Sequence, residues 1–572
     1  VGAAGTATSV AGIPLFTADG SIYTHDVSGT DSTAQFNAAY GIDALDAITT
    51  GDSNVSVGYR AGGATTTGEQ NVIIGKDAML VATTSNYNVV IGSNAGVGMT
   101  TGSNNNTLIG IESGRSLTTG DNNVALGSEA LGGASGASTE SNNMAIGVNT
   151  LKGAINGGEF NVAVGNNSLD ALTTADGITA VGYAAGGALT TGTGNTLFGH
   201  QAGLVLTTHE SNSIFGYNAG IALVESNNVI MGRNAGKAAT SANGNVIIGD
   251  AAVETGVLTG NNNVVIGKLA GNDMTSAAGN VLIGEDAGAN LTTGGSNVVI
   301  GQGAGEALTS PDRSIFIGVN AGNGHDTEND NLGIGHDSLG ASIAGGEYNV
   351  AIGNYSLDAL TSGDKNTCVG YQAGTDLTTA NDNTIMGYNA GPNVTGGSQS
   401  VYIGRDAGAT ITTGEFNVIV GSNADTDGGA DANKVNVFGR GVYGSAGYTT
   451  VGYSSDEIRA AHGNITWATV SDERFKKNIE TSNAGLAVIN DLRPVTYNWK
   501  TKGEVPEWSR WYEEGSDEQY KNSKINHGFI AQEVKAVIDS HSELKDGFTM
   551  WDERSDGQQE VGETAIVPIL VK

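Results

Sequence analysis

The chain has 572 residues, a formal charge of −33, 89 glycines, 6 prolines and one cysteine, Cys368. That acidity argues against nucleic acid and anionic membrane surfaces, both of which need clustered Lys and Arg. One cysteine excludes an intrachain disulfide, and no apolar run reaches the roughly 18 residues of a membrane helix, so no membrane insertion is expected.

Residues 1–36 form a lead-in. They begin without Met and without a basic-plus-apolar leader, so an attachment region ahead of Val1 is expected. From 37 to 440 the chain repeats, as in "NVIIGKDAMLVATTSNY" and "NVLIGEDAGANLTTGGS". A glycine ends each apolar run from Gly41 to Gly421, mostly at spacings of 17 or 18. Asn stands four residues before it except where Ile178, Ser314 and Ser400 take its place. That period is too short for a helix pair and fits one turn of a parallel β-solenoid.

Each position then has a reading. The apolar run (Val298–Ile300) is the strand, and its glycine takes a turn that a Cβ would oppose. Ala287, Ala304 and Ala407, three residues on, let neighbouring turns approach. Thr-Thr-Gly makes a second corner, and the Asn can bond its own turn and stack in a ladder. Alternate strand residues face opposite sides, yet Val281 and Ile283 on one face and Leu282 on the other are all apolar. A strand apolar on both faces is buried on both, so the second face is expected against other chains.

The repeats show little chemistry. Calcium β-rolls need a Gly-Gly-x-Gly-x-Asp nonapeptide, which does not recur here. The Thr-Thr pairs could form an ice-ordering array, but they precede glycine at a corner, where a turn role is the plainer reading. Tyr59, Tyr183, Tyr217, Tyr371 and Tyr388 follow the repeat glycine. They are either half-buried turn aromatics or exposed rings for a glycan. The eight histidines lack metal-ligand spacing, so neither metal nor cofactor is expected. Cys368 stands where other copies carry small apolar residues, as a core side chain.

Residues 441–470 read as a connector. Behind them the composition changes: all five tryptophans lie at 467 or later, and charge density rises sharply. Residues 471–572 read as a small α+β domain. "AGLAVINDL" is a helix, capped by Ser482 or Asn483 and stopped before Pro494. "VTYNWK" alternates as a strand. "EVPEWSRWYEEGSDEQYKNSK" is a polar excursion. "HGFI" is strand-like, "AQEVKAVIDSH" helical, "FTMWDE" a strand, and "GETAIVPILVK" starts a helix whose completion is expected beyond Lys572.

The repeat block resembles the heads of trimeric autotransporter adhesins in its N-x-V-x-I-G core. It is more similar to the N-V-x-I-G-x-x-A-G-x-x-x-T-T-G arrays of phage tail fibres and bacterial surface fibres. In the tail, "SDERFKKNI", "LRPVTYNW" and "GFIAQEVKAVI" follow in that order over about 100 residues. They resemble the endosialidase-type C-terminal intramolecular chaperone, a trimeric self-cleaving domain.

That resemblance implies a Ser–Lys dyad of Ser471 and Lys476, with Asp472, Asn478, Gly528 and Gln532 as supporting motif residues. The cut would fall between Val470 and Ser471. Lys477 is the neighbour that could be mistaken for the base. A serine hydroxyl is a poor nucleophile until a base takes its proton, and lysine serves only when its pKa falls from about 10.4 towards neutrality. Five residues of separation align two side chains on neither strand nor helix, so a turn or a second subunit must join them.

The expected whole, as the resemblance implies, is a homotrimeric fibre on a virion or an extracellular cell surface, attaching to a host receptor such as a glycan and joined to other virion tail proteins through a region ahead of Val1. Its only expected enzyme activity is self-cleavage as a serine peptidase. A bacterial trimeric adhesin is the nearest alternative, and an uncleaved ice- or calcium-binding solenoid the alternative of another class.

Overall fold

A computed structural model describes residues 8–10, 13–18, 21–24, 33–133, 138–153, 155–342, 344–463, 484–509, 511–544, 550–553 and 559–570. The chain divides into two compact units, Val1–Thr469 and Val470–Lys572.

The first unit is a parallel β-solenoid of about 24 turns. Each turn contributes one short strand to a 29-stranded sheet. Registers are exact copies of one another: Val281, Leu282 and Ile283 lie beside Val298, Val299 and Ile300. The repeat glycine is required twice over. Gly284 has φ +141°, and a Cβ there would lie 2.3 Å from the Gly301 carbonyl oxygen. The corners therefore stack backbone on backbone, which no side chain permits.

A second left-handed position, not anticipated from the sequence, falls two residues later. Asn94, Asp286 and Asn320 have φ of 56°, 57° and 55°. Asn and Asp tolerate this region better than most residues, so their recurrence there was its signal.

The core is a narrow column. Leu282, Ala287, Leu291 and Asn297 are all fully buried. The Asn row is a continuous hydrogen-bonded ladder. Asn280 donates its backbone N–H and Nδ2 to Asn263 Oδ1 at 3.0 and 3.1 Å, and Nδ2 also to the Gly294 carbonyl at 3.0 Å. Its Oδ1 accepts the same two donors from Asn297 at 2.9 and 3.0 Å. Ser314 and Ser400 keep part of this, their Oγ accepting the N–H of Asn331 at 3.3 Å and of Asn417 at 3.0 Å. Ile178 can only donate, to Asn161 Oδ1 at 3.0 Å. The Thr corner is a ladder too: Thr292 Oγ1 donates to the Thr309 carbonyl at 2.8 Å, so that hydroxyl holds the next turn.

Both ends of the ladder reverse direction. At the start, Thr8–Val10 pairs antiparallel with Ile13–Ala18, which pairs antiparallel with Ser21–Tyr23. Ser21–Tyr23 is already the first parallel rung, beside Ala38–Tyr40. At the other end Tyr448–Tyr453 lies parallel to Asn436–Phe438 and antiparallel to Asp456–Ala461. That last strand is an edge carrying Asp456, Glu457 and Arg459, and charge on an edge blocks further pairing.

The outer face of the sheet is apolar and partly open. Val281 and Ile283 are half-buried, while Val55, Ile109, Phe198 and Met386 are exposed.

The second unit is α+β. Helix α1 is Leu486–Asp491, α2 is Ala531–Ser540 and α3 is Val567–Leu570. Helix α1 starts later than the sequence implied, on Gly485, which offers no side-chain cap. Ser482 and Asn483 lie outside the described residues. Val495–Tyr497 pairs with Asn526–Gly528, and Trp551–Glu553 with Gln559–Val561, both antiparallel. The strand Gln559–Val561 was not anticipated, because "QEV" carries no β-rich run.

Two small cores hold the unit. Leu492, Val534 and Met550 form one, and Ala484, Val488, Leu544 and Ile569 the other. Tyr520 of the polar excursion meets Trp499 edge-on at 5.6 Å, and Trp499 meets Tyr497 edge-on at 5.1 Å.

Candidate functional site

Five residues assigned to the cut, Val470, Ser471, Asp472, Lys476 and Asn478, lie outside the described residues. The other two motifs are described, and the fold brings them together. The aliphatic part of "LRPVTYNW" buries Leu492 against Val534 of "GFIAQEVKAVI". Arg493 Nε donates to Glu533 Oε2 at 2.9 Å, and a second bond joins its Nη2 to Glu533 Oε1. The pair raises the Arg493 pKa and lowers that of Glu533, chiefly through these hydrogen bonds. The two motifs thus pack together as one fold element.

Gly528 ends its strand at the wall of an open groove of about 460 Å³, lined also by Pro494, Val495, Thr496, His527, Phe529 and Glu563. A Cβ on Gly528 would lie 3.1 Å from Glu563 Oε1, so glycine keeps that wall open. Gln532 is exposed on the first turn of α2. Gly528 and Gln532 therefore do not share a buried site. His541, just after α2, bonds Asp491 Oδ2 at 2.9 Å and Glu543 Oε1 at 3.1 Å. These bonds, Asp491 first, raise its pKa, and they tie the end of α1 to the end of α2.

In the solenoid, Tyr59, Tyr183, Tyr217, Tyr371 and Tyr388 are all exposed. Each has one ring face against a neighbour. His200 is stacked between Tyr183 and Tyr217 at 5.2 and 4.9 Å, Tyr371 stacks on Tyr388 at 5.3 Å, and the Arg60 guanidinium lies 5.0 Å over Tyr59. Cys368 is fully buried in the core, and burial pushes its thiol pKa up, so it is no nucleophile.

His325 is the least expected side chain. It occupies the core position held by Leu291 and Leu308 in preceding turns, and it is fully buried against Phe316, ring centroids 4.8 Å apart. Neither ring nitrogen has a hydrogen-bond partner. Burial pushes its pKa down to about 3. Among the described residues, no group of three His, Cys, Asp or Glu is placed to hold a metal ion, and no helix is long and apolar enough to cross a membrane.

Two motifs locked by Arg493–Glu533 and Leu492–Val534, directly behind a closed solenoid, set the context for the comparison with known proteins. Residues 471–542 match the chaperone of endosialidase family. The chain thus carries an endosialidase-type chaperone segment behind a β-solenoid shaft of stacked turns of about 17 residues. The match begins at Ser471 and takes in Lys476, Arg493, Glu533 and His541. No curated protein and no solved structure matches the chain.

Proposed function

We propose that this chain is one of three identical strands of a fibre that attaches a virion to a cell surface. Its chaperone segment starts trimerisation and then cuts itself away between Val470 and Ser471. Ser471 is the nucleophile and Lys476 the base that takes its proton. The cut breaks the Val470–Ser471 peptide bond, with transient acylation of the serine oxygen and final hydrolysis by water.

The observation that carries this reading is the order of parts: a chaperone-family segment stands immediately behind a solenoid that is already closed. Among the described residues, the Asp456–Ala461 strand is the last of the ladder. A tool needed for assembly but not for the assembled state fits that design. Loss of the tool leaves a fibre held by its slow unfolding.

The test is a trio of proteins. The native chain should yield a C-terminal fragment of 102 residues. The Ser471→Ala and Lys476→Met proteins should assemble yet stay uncut, and a chain ending at Val470 should aggregate. Cleavage that persists in both variants would sink the dyad, and a truncated chain that assembles normally would sink the chaperone role.

A further inference from the structure

The outer face of the solenoid is unusual in what it lacks. In the rungs from Ala38–Tyr40 to Tyr448–Tyr453, the two outward positions of the strand carry no Asp, Glu, Lys or Arg. The rest of the chain holds 26 Lys+Arg and 59 Asp+Glu. An uncharged apolar ribbon of about 24 turns, at roughly 4.8 Å per rung, exceeds the apolar patches that monomeric proteins expose.

Sizes along the ribbon are matched within each rung. Where the third strand residue is aromatic, the first is small or polar: Tyr40 stands with Ala38, Phe198 with Thr196, Phe215 with Ser213, and Phe438 with Asn436. No three-residue rung from Ala38–Tyr40 to Asn436–Phe438 joins an aromatic to Val, Ile, Leu or Met at these two positions, although valine is the commonest first residue. Side chains in water need no such compensation. Side chains packed against something at the same height do.

The occupant must keep step with the shaft over its full length. A partner with a different rise per rung falls out of step long before the last turn, whereas a second copy of this chain keeps step throughout. Rotation about the fibre axis holds equivalent rungs at equal height, so the third residue of one copy meets the first residue of the next.

We infer that this ribbon is the interface between copies, packed rung against identical rung, with each aromatic third residue seated over the small first residue of its neighbour. This rests on the trimer reading above and adds the face and the register. The register is then written into the shaft itself. A slip of one turn sets Phe215 against Val229 in one direction, or Phe438 against Val418 in the other.

Cysteine pairs in the full chain test this. The background is Cys368→Ala, a residue that the adjacent turn carries as Ala351. A disulfide needs Cα atoms roughly 4.4–6.8 Å apart, which a displacement of two rungs, about 9.6 Å, forbids. Val281→Cys with Ile283→Cys, on one rung, should give a three-chain band on a non-reducing gel after oxidation. Val246→Cys with Ile283→Cys, two rungs apart, should give none. Equal or better linking by the offset pair overturns the inference, and so does the absence of both links in a protein that sediments as a trimer; in each case the trimer reading stands. A chain that sediments as a monomer overturns both.

Discussion

Single residues decide how well each turn stacks on the next. Asn280 makes or receives five hydrogen bonds within the buried ladder. Asn280→Ala removes all of those made by its side chain, orphaning two donors of Asn297 and the Gly294 carbonyl. Each buried orphan costs about 1–3 kcal/mol. Denaturant unfolding followed by far-UV circular dichroism should show a marked loss. Asn280→Ser should lose less, because Ser314 and Ser400 show a hydroxyl still accepting the neighbour's N–H.

His325 gives the opposite prediction. Its folded pKa of about 3 lies below the usual 6.5, so the unfolded chain takes up a proton first as the pH falls. Stability from this site is complete above 6.5 and is lost progressively towards 3. His325→Leu restores the side chain used by the preceding turns at Leu291 and Leu308. It should raise the shaft's melting temperature, with the gain over the native chain growing as the pH is lowered through that window.

At the scale of elements, the chaperone unit depends on a few ties between short helices and hairpins rather than on a long ladder. His541 joins α1 to the segment after α2, and its pKa is raised. The sign is therefore the reverse of that for His325. The tie is fully present below the unfolded value near 6.5 and is lost as the pH rises through the higher folded value. Four of the five tryptophans, at 499, 508, 511 and 551, lie in this unit, so tryptophan fluorescence reports on it selectively. The uncut Ser471→Ala protein should show the fluorescence midpoint falling as the pH is raised above 6.5. His541→Gln should flatten that dependence while leaving the far-UV transition of the shaft unchanged.

For the whole molecule, the balance is between a long apolar ribbon and a large like charge. Each chain carries −33, so copies that associate through the ribbon repel one another at long range. Salt screens such repulsion over about 10 Å at 0.1 M. Assembly of the full chain should therefore speed up between low and moderate salt, as read by light scattering or native gels. A rate independent of salt would mean that charge does not limit encounter. The ion pairs between turns, such as Arg313–Asp330 and Lys268–Glu285, are exposed, and exposed pairs contribute little on their own.

Much of the shaft was legible because its repeat states the same physical demand over and over. Gly284 and its equivalents, Leu282, Ala287 and the Asn row each recur at one place in the turn, so one period read correctly gives every turn. The three chaperone motifs were legible as strings, two of which the fold joins through contacts such as Arg493–Glu533. Other features answer to no periodic signal. The second left-handed position at Asp286 is set by how the chain must bend after a crowded corner. His325 reads as one more polar loop residue until the fold puts it where leucine belongs. The antiparallel strand Asp456–Ala461 follows the last repeat motif, and only its pairing reveals that the ladder reverses direction there. The sequence by itself determined the turn, its corners and its core, because those depend on contacts one period apart. The tertiary structure alone decided which groups lose water, how the ladder ends and which apolar face stays open, because those depend on what the stacked turns leave uncovered.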